Sequence, residues 1–409
     1  MDNNNVRVSV IMPSLNVVAY IAECIESALN QTLKEIEIIC VDAGSTDGTL
    51  EVLKQYAEKD KRVRLIHSAI KSYGHQMNLG FSEAKGKYMA ILETDDYILP
   101  DMYETLYGLA EKNTLDFIKS DYEIFVGEGK DRIFSYMNSC RSKKQYRKII
   151  NPAKSIDIFN ARMNTWTGIY NIDFLRQNNI FHNETPGASY QDNGFWFQTF
   201  MYAERIMFVD RAFYKLRRDN PNSSVHNRGK VFCIFDEYAF IEKRVREDSR
   251  REKTYIEIFQ KKKHDNCQYH YSRIADKYKM EFMNRLRAEF TIARDKGELN
   301  PKLFFGDSYK KLMDLINFNE NIYGDLSEDA SDEDKIAFLE NELRAVKWEL
   351  ESIKKTKAYK ISNKIAFIPR KIVSGIKCYH DNGLKYTINL IKEKVKRLLK
   401  CKRNKKWIK

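Results

Sequence analysis

Short β-branched runs that end in turn residues alternate with amphipathic stretches through the first 125 residues, and this alternation constrains the fold more than any other feature of the chain. The strand-like segments are 6–14 (VRVSVIMPS), 35–44 (EIEIICVDAG), 63–68 (VRLIHS), 86–93 (GKYMAILE) and 115–125 (LDFIKSDYEIF). Helical periodicity occupies 19–31, 46–60 and 75–86, the second stretch with Ser45 or Thr46 as its N-cap. The pattern predicts βαβ units and an α/β fold on a mostly parallel sheet flanked by helices. In such sheets ligands bind beyond the carboxyl ends of the strands. Asp42, Gly44 and Ser45 follow one strand; Glu93, Asp95 and Asp96 follow another. The unusual residues therefore collect on one edge.

The pattern loosens from 126 to 227. Segments 165–180 and 204–227 mix strand and loop, and 189–204 (SYQDNGFWFQTFMYAE) reads as a short aromatic helix. Residues 228–323 read as a helical region, 324–335 as an acidic linker. Ile336, Leu339, Leu343, Val346, Leu350 and Ile353 then fall at alternating spacings of three and four. That seam, 336–353, is either a short coiled coil that makes a homodimer or a helix packed on its own body.

Charge is uneven. The 409 residues carry a net +13, yet residues 354–409 alone hold 19 Lys+Arg against 2 Asp+Glu, leaving the remainder at −4. Lys in this tail is interleaved with Ile, Leu, Phe, Tyr and Trp407, the pattern of an interfacial helix on an anionic membrane surface. The apolar content favours a membrane over a nucleic acid. Seven scattered cysteines without a CxxC pair read as reduced thiols. The first residues lack the layout of a signal peptide, and no apolar run reaches the roughly 20 residues a membrane span requires. The expected location is cytoplasmic, peripheral on the inner face of the membrane.

Glu93, Asp95 and Asp96 place three carboxylates within four residues, directly after an apolar strand. Such crowding is tolerated around a divalent cation, because Mg²⁺ and Mn²⁺ prefer oxygen ligands and accept one or two carboxylates plus substrate phosphates. The same acids also suit the positive N-terminal pole of the helix that follows. Both readings stand on these residues alone.

The ordered set of motifs decides between them. VSVIMPSLNVVAYIAECIESALNQTLKEIEIICVDAGSTDGT, then GHQMNLGFSEAKGKYMAILETDDYILPDMYE, then YQDNGFWFQTFMYAERI with YKLRRDNPNSSV, resembles family 2 glycosyltransferases of the GT-A fold, over roughly residues 6–230. The resemblance implies a GT-A domain at 1–227, with a nucleotide-binding half (1–125) and an acceptor half (126–227). It implies that Pro13, Ser14 and Asp42 hold the nucleotide base, that Asp95 contacts the ribose, and that Asp96 coordinates Mn²⁺ or Mg²⁺ bridging the two phosphates. Asp42 also suits an Asx-type turn. Glu93 stands where many relatives carry Asp, as a ligand or beside one. Met77 stands where relatives often carry Arg before the Asn, here Asn78; His75 or Lys71 would substitute.

By the same resemblance Asp192 is the general base that takes the acceptor hydroxyl's proton, with Phe195, Trp196 and Phe200 on its helix raising its pKa. Asp192 as a helix cap is the competing reading, and Glu184 is the next candidate acid. Trp166 and Trp196 are candidate sugar platforms; Phe195 and Phe200 suit core packing. Arg217 and Arg218 would meet the diphosphate, pointing opposite ways along a strand, and His226 would assist. The expected enzyme moves a sugar, with inversion, from a nucleoside diphosphate such as UDP to a hydroxyl of a surface or lipid-linked glycan. A nucleotidyl or phosphoryl transferase with the same metal–diphosphate site, or a membrane-bound scaffold on a degenerate fold, are the alternatives.

Overall fold

The computed structural model describes residues 6–223 and 230–317. The acidic linker, the heptad seam, the basic tail and His226 lie outside the described residues.

The first half follows the alternating pattern. Strands β1 (Val8–Ser14), β2 (Ile36–Asp42), β3 (Val63–His67) and β4 (Tyr88–Ile91) are separated by helices α1 (Ile21–Leu29), α2 (Thr49–Lys59) and α3 (Tyr73–Ser82). They pair in parallel in the order β3-β2-β1-β4, with Ser14 level with Asp42. Every residue of β1, β2 and β4 is buried, as expected for strands covered on both faces. Alternation divides their side chains. Val8, Val10, Met12, Ile38 and Cys40 join α1 and α4 (Met102–Asn113) in one core; Ile11, Ile39 and Val41 join α3 and the later helices in the other.

Neither Ser45 nor Thr46 caps α2. Gly48, in the left-handed region at φ 103°, holds that position, and the Asp47 carboxylate takes the Val18 and Thr49 amides instead. The turn is thereby tied back to the loop after β1.

Beyond β4 the sheet departs from the mostly parallel expectation. β5 (Tyr97–Ile98), β6 (Phe117–Val126), β7 (Ile133–Met137), β8 (Gly168–Asn171) and β9 (Ile206–Arg217) complete it in the order β4-β8-β6-β9-β5, with β7 on β6. Only β6·β9 is parallel among these pairings; β4·β8, β6·β8, β6·β7 and β5·β9 are antiparallel. Between Val209 and Ala212, β9 carries extra residues that β6 does not match. A bulge of this kind bends and re-aims a strand. It turns the second half of β9 toward β5, where Ile98 pairs with Tyr214 and Tyr97 with Lys215.

After α5 (Ile172–Gln177) and α6 (Gln191–Tyr202) come α7 (Cys233–Arg246), α8 (Ser249–Tyr271), α9 (Lys279–Asp295) and α10 (Ser308–Ile316). This helical region is not a separate body. All described residues fall within the unit Met1–Asn317, and one continuous core runs from Ile11 through Trp196 and Phe259 to Ile316.

Candidate active site

The strand ends converge first on a tight turn. Asp42 is fully buried; its carboxylate takes the Gly44 and Ser45 amides, both at 2.9 Å, and the Ser45 hydroxyl. It therefore acts as the turn residue that the Asx reading anticipated, with three of roughly four acceptor positions filled. Pro13 and Ser14 lie beside it. Their carbonyls accept the Thr94 hydroxyl (3.0 Å) and the Gln76 side-chain amide (2.9 Å). Gln76 also reaches Val41 O at 2.7 Å, so α3 fastens the ends of β1 and β2 together.

The crowded carboxylates separate into different surroundings. Asp96 is 2 % exposed and accepts the Arg217 amide and the Tyr214 hydroxyl, each at 2.7 Å. In this arrangement the carboxylate, which the resemblance makes the metal ligand, is turned into the sheet and staples β5 to β9. Burial first, then the charge of Asp95, pushes its acid well up. Asp95 is partly exposed, with one oxygen on Asn220 Nδ2 at 2.8 Å. Glu93, also partly exposed, accepts the Tyr73 hydroxyl at 2.7 Å. Burial pushes the Glu93 acid up to about 8; the Tyr73 bond opposes this, and the charges of Asp95 and Asp192 add to it.

The two arginines separate as strand alternation requires. Arg217 points inward and Arg218 is exposed. The Arg217 guanidinium lies between the Tyr20 and Phe125 rings and binds Glu23 Oε2 (3.0 Å), Asp219 Oδ1 (3.4 Å) and the Asp95 carbonyl (3.1 Å). Arg132 shares Glu23 from the other side at 2.6 Å. Arg217 thus stands next to Asp95, with Arg132 on the far side of Glu23.

Asn78, a candidate nucleotide contact by the resemblance, lies on α3. Its amide pairs with both backbone groups of His182 at 2.9 Å and with Glu184 at 2.8 Å, binding α3 to the 182–184 segment. Glu184 is engaged there too, with His75 at 2.9 Å. Met77 is fully buried in the core, so the missing Arg is replaced by packing; Lys71 is exposed.

Asp192 opens α6. Its carboxyl is pushed up to about 6 by burial, against the pull of the Asp192 and Asn193 amides at the helix start. Its charge is felt by Glu93, Tyr73 and Glu237, so it faces the carboxylates after β4 from the opposite half. The backbone makes this juxtaposition. Lys71 O takes the Gly187 amide at 2.8 Å and Gly187 O takes the Tyr73 amide at 3.0 Å, a bridge that draws the segment before α6 onto the start of α3. Tyr190, just before α6, sits in the left-handed region at φ 70°, unusual for a bulky residue. Its hydroxyl is held by His270 at 2.8 Å and by Arg273 at 3.1 Å.

Of the tryptophans, Trp166 is partly exposed, stacks on Tyr214 with centroids 4.4 Å apart and meets Tyr122 edge-on at 4.9 Å. Trp196 is fully buried against Phe200 at 3.9 Å, under the Lys262 ammonium. It cannot be a sugar platform. Phe195 and Phe200 are core residues, as their spacing suggested.

Tyr73, Gln76, Tyr214 and Glu237 organise these groups, and none of them stands out in the sequence as a site residue. Only the topology reveals them, because each reaches its partner from a different element.

Residues 9–166 match the family described as Glycosyl transferase family 2. The chain is 30 % identical over 247 residues to the uncharacterized glycosyltransferase YibD of Escherichia coli, covering 56 % of this chain and 67 % of that protein. It is 31 % identical over 221 residues to the uncharacterized glycosyltransferase EpsJ of Bacillus subtilis, covering 53 % and 62 %. Similarity to the glycosyltransferase GlyG of Streptococcus pneumoniae is 29 % over 217 residues, covering 52 % and 70 %. The chain thus spans 62 to 70 % of the length of these relatives. Among solved structures, S. aureus TarS 1-349 in complex with UDP aligns with a TM-score of 0.55 at 19 % identity, over 76 % of this chain and 89 % of that one. These matches accord with the parallel half-sheet and the acid cluster after β4: the chain belongs to glycosyltransferase family 2 and has the GT-A fold.

Proposed function

We propose that this glycosyltransferase moves a sugar from a nucleoside diphosphate, UDP, to a hydroxyl of a growing surface glycan, with inversion and with a divalent cation on the diphosphate. The observation that carries the reading is that the segment before α6, which bears Asp192, is bridged by backbone to the start of α3, where Tyr73 binds Glu93 of the acid cluster after β4. TarS, solved in complex with UDP and with UDP-GlcNAc, supports the donor class.

Each half has a role. The base lies against the turn 42–45, whose shape Asp42 fixes. Arg217, beside Asp95, offers its guanidinium to phosphate oxygens in exchange for Glu23 or Asp219. Among the described residues no group of three or more His, Cys, Asp or Glu is arranged to hold a metal by itself. A Mg²⁺ or Mn²⁺ ion in a diphosphate site needs fewer, since phosphates and water complete its shell. Asp95, a hard oxygen donor with one oxygen outside its Asn220 bond, fits as the protein ligand, and Glu93 lies beside it. Bound there, the ion supplies neutralisation of the charge that develops on the leaving diphosphate.

Asp192, ionised above about 6, accepts the acceptor's hydroxyl proton as that oxygen forms its bond to the anomeric carbon. The bond from that carbon to the β-phosphate oxygen breaks with its electron pair on UDP. Trp166 lines the acceptor side as a sugar platform. Among the described residues no helix is long and apolar enough to cross a membrane. The basic 354–409 tail would hold the enzyme on an anionic inner leaflet, near a lipid-linked acceptor, and the 336–353 seam would pair two copies.

A panel of nucleotide sugars, assayed with and without Mn²⁺ for sugar transfer and followed by NMR of the product's anomeric centre, tests the reading. Metal-dependent transfer with inversion is expected. Retention of configuration, or nucleotidyl transfer, would overturn it.

A further inference from the structure

The helix that opens with Asp192 is held by a residue outside the family-matched segment. Glu237, on α7, is fully buried and accepts the Gly194 amide at 2.9 Å through one oxygen and the Asn183 side-chain amide at 3.1 Å through the other. Gly194 lies two residues after Asp192, the fourth residue of α6; the Tyr190 carbonyl takes the Asn193 amide at 2.9 Å, and the Gly194 amide goes to Glu237 instead. The approach is so close that a Cβ at Gly194 would stand 2.1 Å from Glu237 Oε1. Glycine lowers helix stability by about 0.5–1 kcal/mol relative to Ala. Here it lets a carboxylate from another helix reach the backbone beside Asp192. Asn183 belongs to the segment that Asn78 fixes to α3, so the contact links both halves of the site.

We propose that Glu237 is a positioning residue for catalysis: by holding the Gly194 amide it sets the direction in which α6 presents Asp192. The inference rests on Asp192 being the base. Glu237 touches neither donor nor acceptor in this scheme. Its contribution is geometric, and displacing a reacting group by about 1 Å can lower a rate roughly 100-fold. Burial, with Asp192's charge adding after the opposing bond from Asn183, pushes the Glu237 acid up to about 8, consistent with a carboxyl kept there for its hydrogen bonds.

Glu237→Gln keeps an oxygen for the Gly194 amide; Glu237→Met keeps the bulk and removes it. Transfer rate, donor KM and the stoichiometry of UDP binding by calorimetry are measured on both. Glu237→Gln should stay within roughly threefold of the parent, and Glu237→Met should lose roughly 10- to 100-fold in kcat at unchanged donor KM and full UDP stoichiometry. Parental kcat in Glu237→Met, an equal fall in both variants, or UDP sites lost in step with activity would each overturn the proposal. Should Glu237→Met fail to fold, Asn183→Ala frees the carboxylate to swing off Gly194. It should lower kcat roughly fivefold with UDP binding intact, and parental kcat there overturns the proposal. Asp192→Asn, run in parallel, tests the underlying reading separately: if that variant transfers at the parental rate, the base assignment fails whatever position 237 does.

Discussion

The parallel half-sheet and the rest of the described protein handle buried charge in opposite ways. In β1, β2 and β4 the interior is almost wholly apolar, and acids appear at the strand ends, around the turn at 42–45 and at 93–96. Past residue 115 the apolar core also encloses charged side chains. Lys119 is fully buried, bound to Asn164 O and to the Tyr170 hydroxyl at 3.1 Å. Asp121, equally buried, takes the Tyr136 and Tyr146 hydroxyls and the Ser139 amide. Lys261, Lys262, Lys263 and His264 lie buried in succession on α8, with Lys263 on Glu289 at 2.5 Å and Lys262 on Ala161 O at 3.2 Å. Apolar strands covered on both faces need only volume and alternation to pack. Irregular segments such as 138–167 need directional bonds to fix one arrangement, and the Lys119 and Asp121 networks supply several of them, though Asn164 Nδ2 and Thr165 Oγ1 stay buried without a partner among the described residues. The parallel half-sheet is thus shaped by patterning and the later half in part by hydrogen bonds.

The largest expected break in this comparison is at Asp192. Asp192, the second residue of α6 and not its N-cap, keeps its shape in Asp192→Asn but cannot accept the proton, so transfer should fall roughly 10²- to 10⁴-fold while UDP affinity survives. In the parent the rate should decline as pH drops through about 6, since the base must be ionised and burial has raised it there. A pH profile flat to 4.5 would contradict the raised acid.

Next in size, Trp196→Ala should cost about 3–5 kcal/mol of stability, because it empties a fully packed site between Phe159 and Phe200. Trp166→Ala should leave the melting temperature near the parent's and raise acceptor KM. The reverse assignment of the two effects would undo the distinction between core and platform.

Asp95 and Asp96 sharpen the comparison within one motif. Asp96→Ala leaves the Arg217 amide and the Tyr214 hydroxyl unpaired, so stability should fall by about 1–3 kcal/mol. Asp95→Ala should retain stability and lose the Mn²⁺-dependent part of UDP affinity. Thermal melts and calorimetry on the pair decide it; metal-dependent affinity retained in Asp95→Ala would remove Asp95 as the ligand.

Lys119 tests the comparison through pH: burial depresses its ammonium to about 7 from its ordinary 10.5. The folded state then binds fewer protons than the unfolded state between these values, so stability should rise with pH from 7 toward 10.5 and be flat with respect to this group below 7. Lys119→Met should make that rise shallower. An identical slope in both proteins would show that the lysine is solvated.

Legibility followed the same division. The strands from β1 to β4, the edge that gathers the acids and the helix starting near Asp192 were readable, because apolar periodicity and turn residues act locally. The exposure of Asp95 and the burial of Asp96 were not: adjacent carboxylates look alike until the β9 bulge brings the Arg217 amide to one of them. Trp166 and Trp196 were likewise equal until α8 covered the second. Glu237 lies some 45 residues from Asp192 and carries no motif. Its meaning comes from a helix crossing that periodicity leaves undetermined.

Tyr190 has a consequence for the order in which the protein can be completed during synthesis. Its left-handed backbone is disfavoured for a bulky residue on its own, and the hydroxyl bonds that hold it come from residues 270 and 273. While the ribosome still retains those residues, the sheet and its donor edge can already be assembled, but the turn leading into Asp192 lacks its anchors. A nascent chain should therefore gain the ability to bind nucleotide before it gains the ability to transfer sugar, with the second step waiting for α8 to emerge and dock.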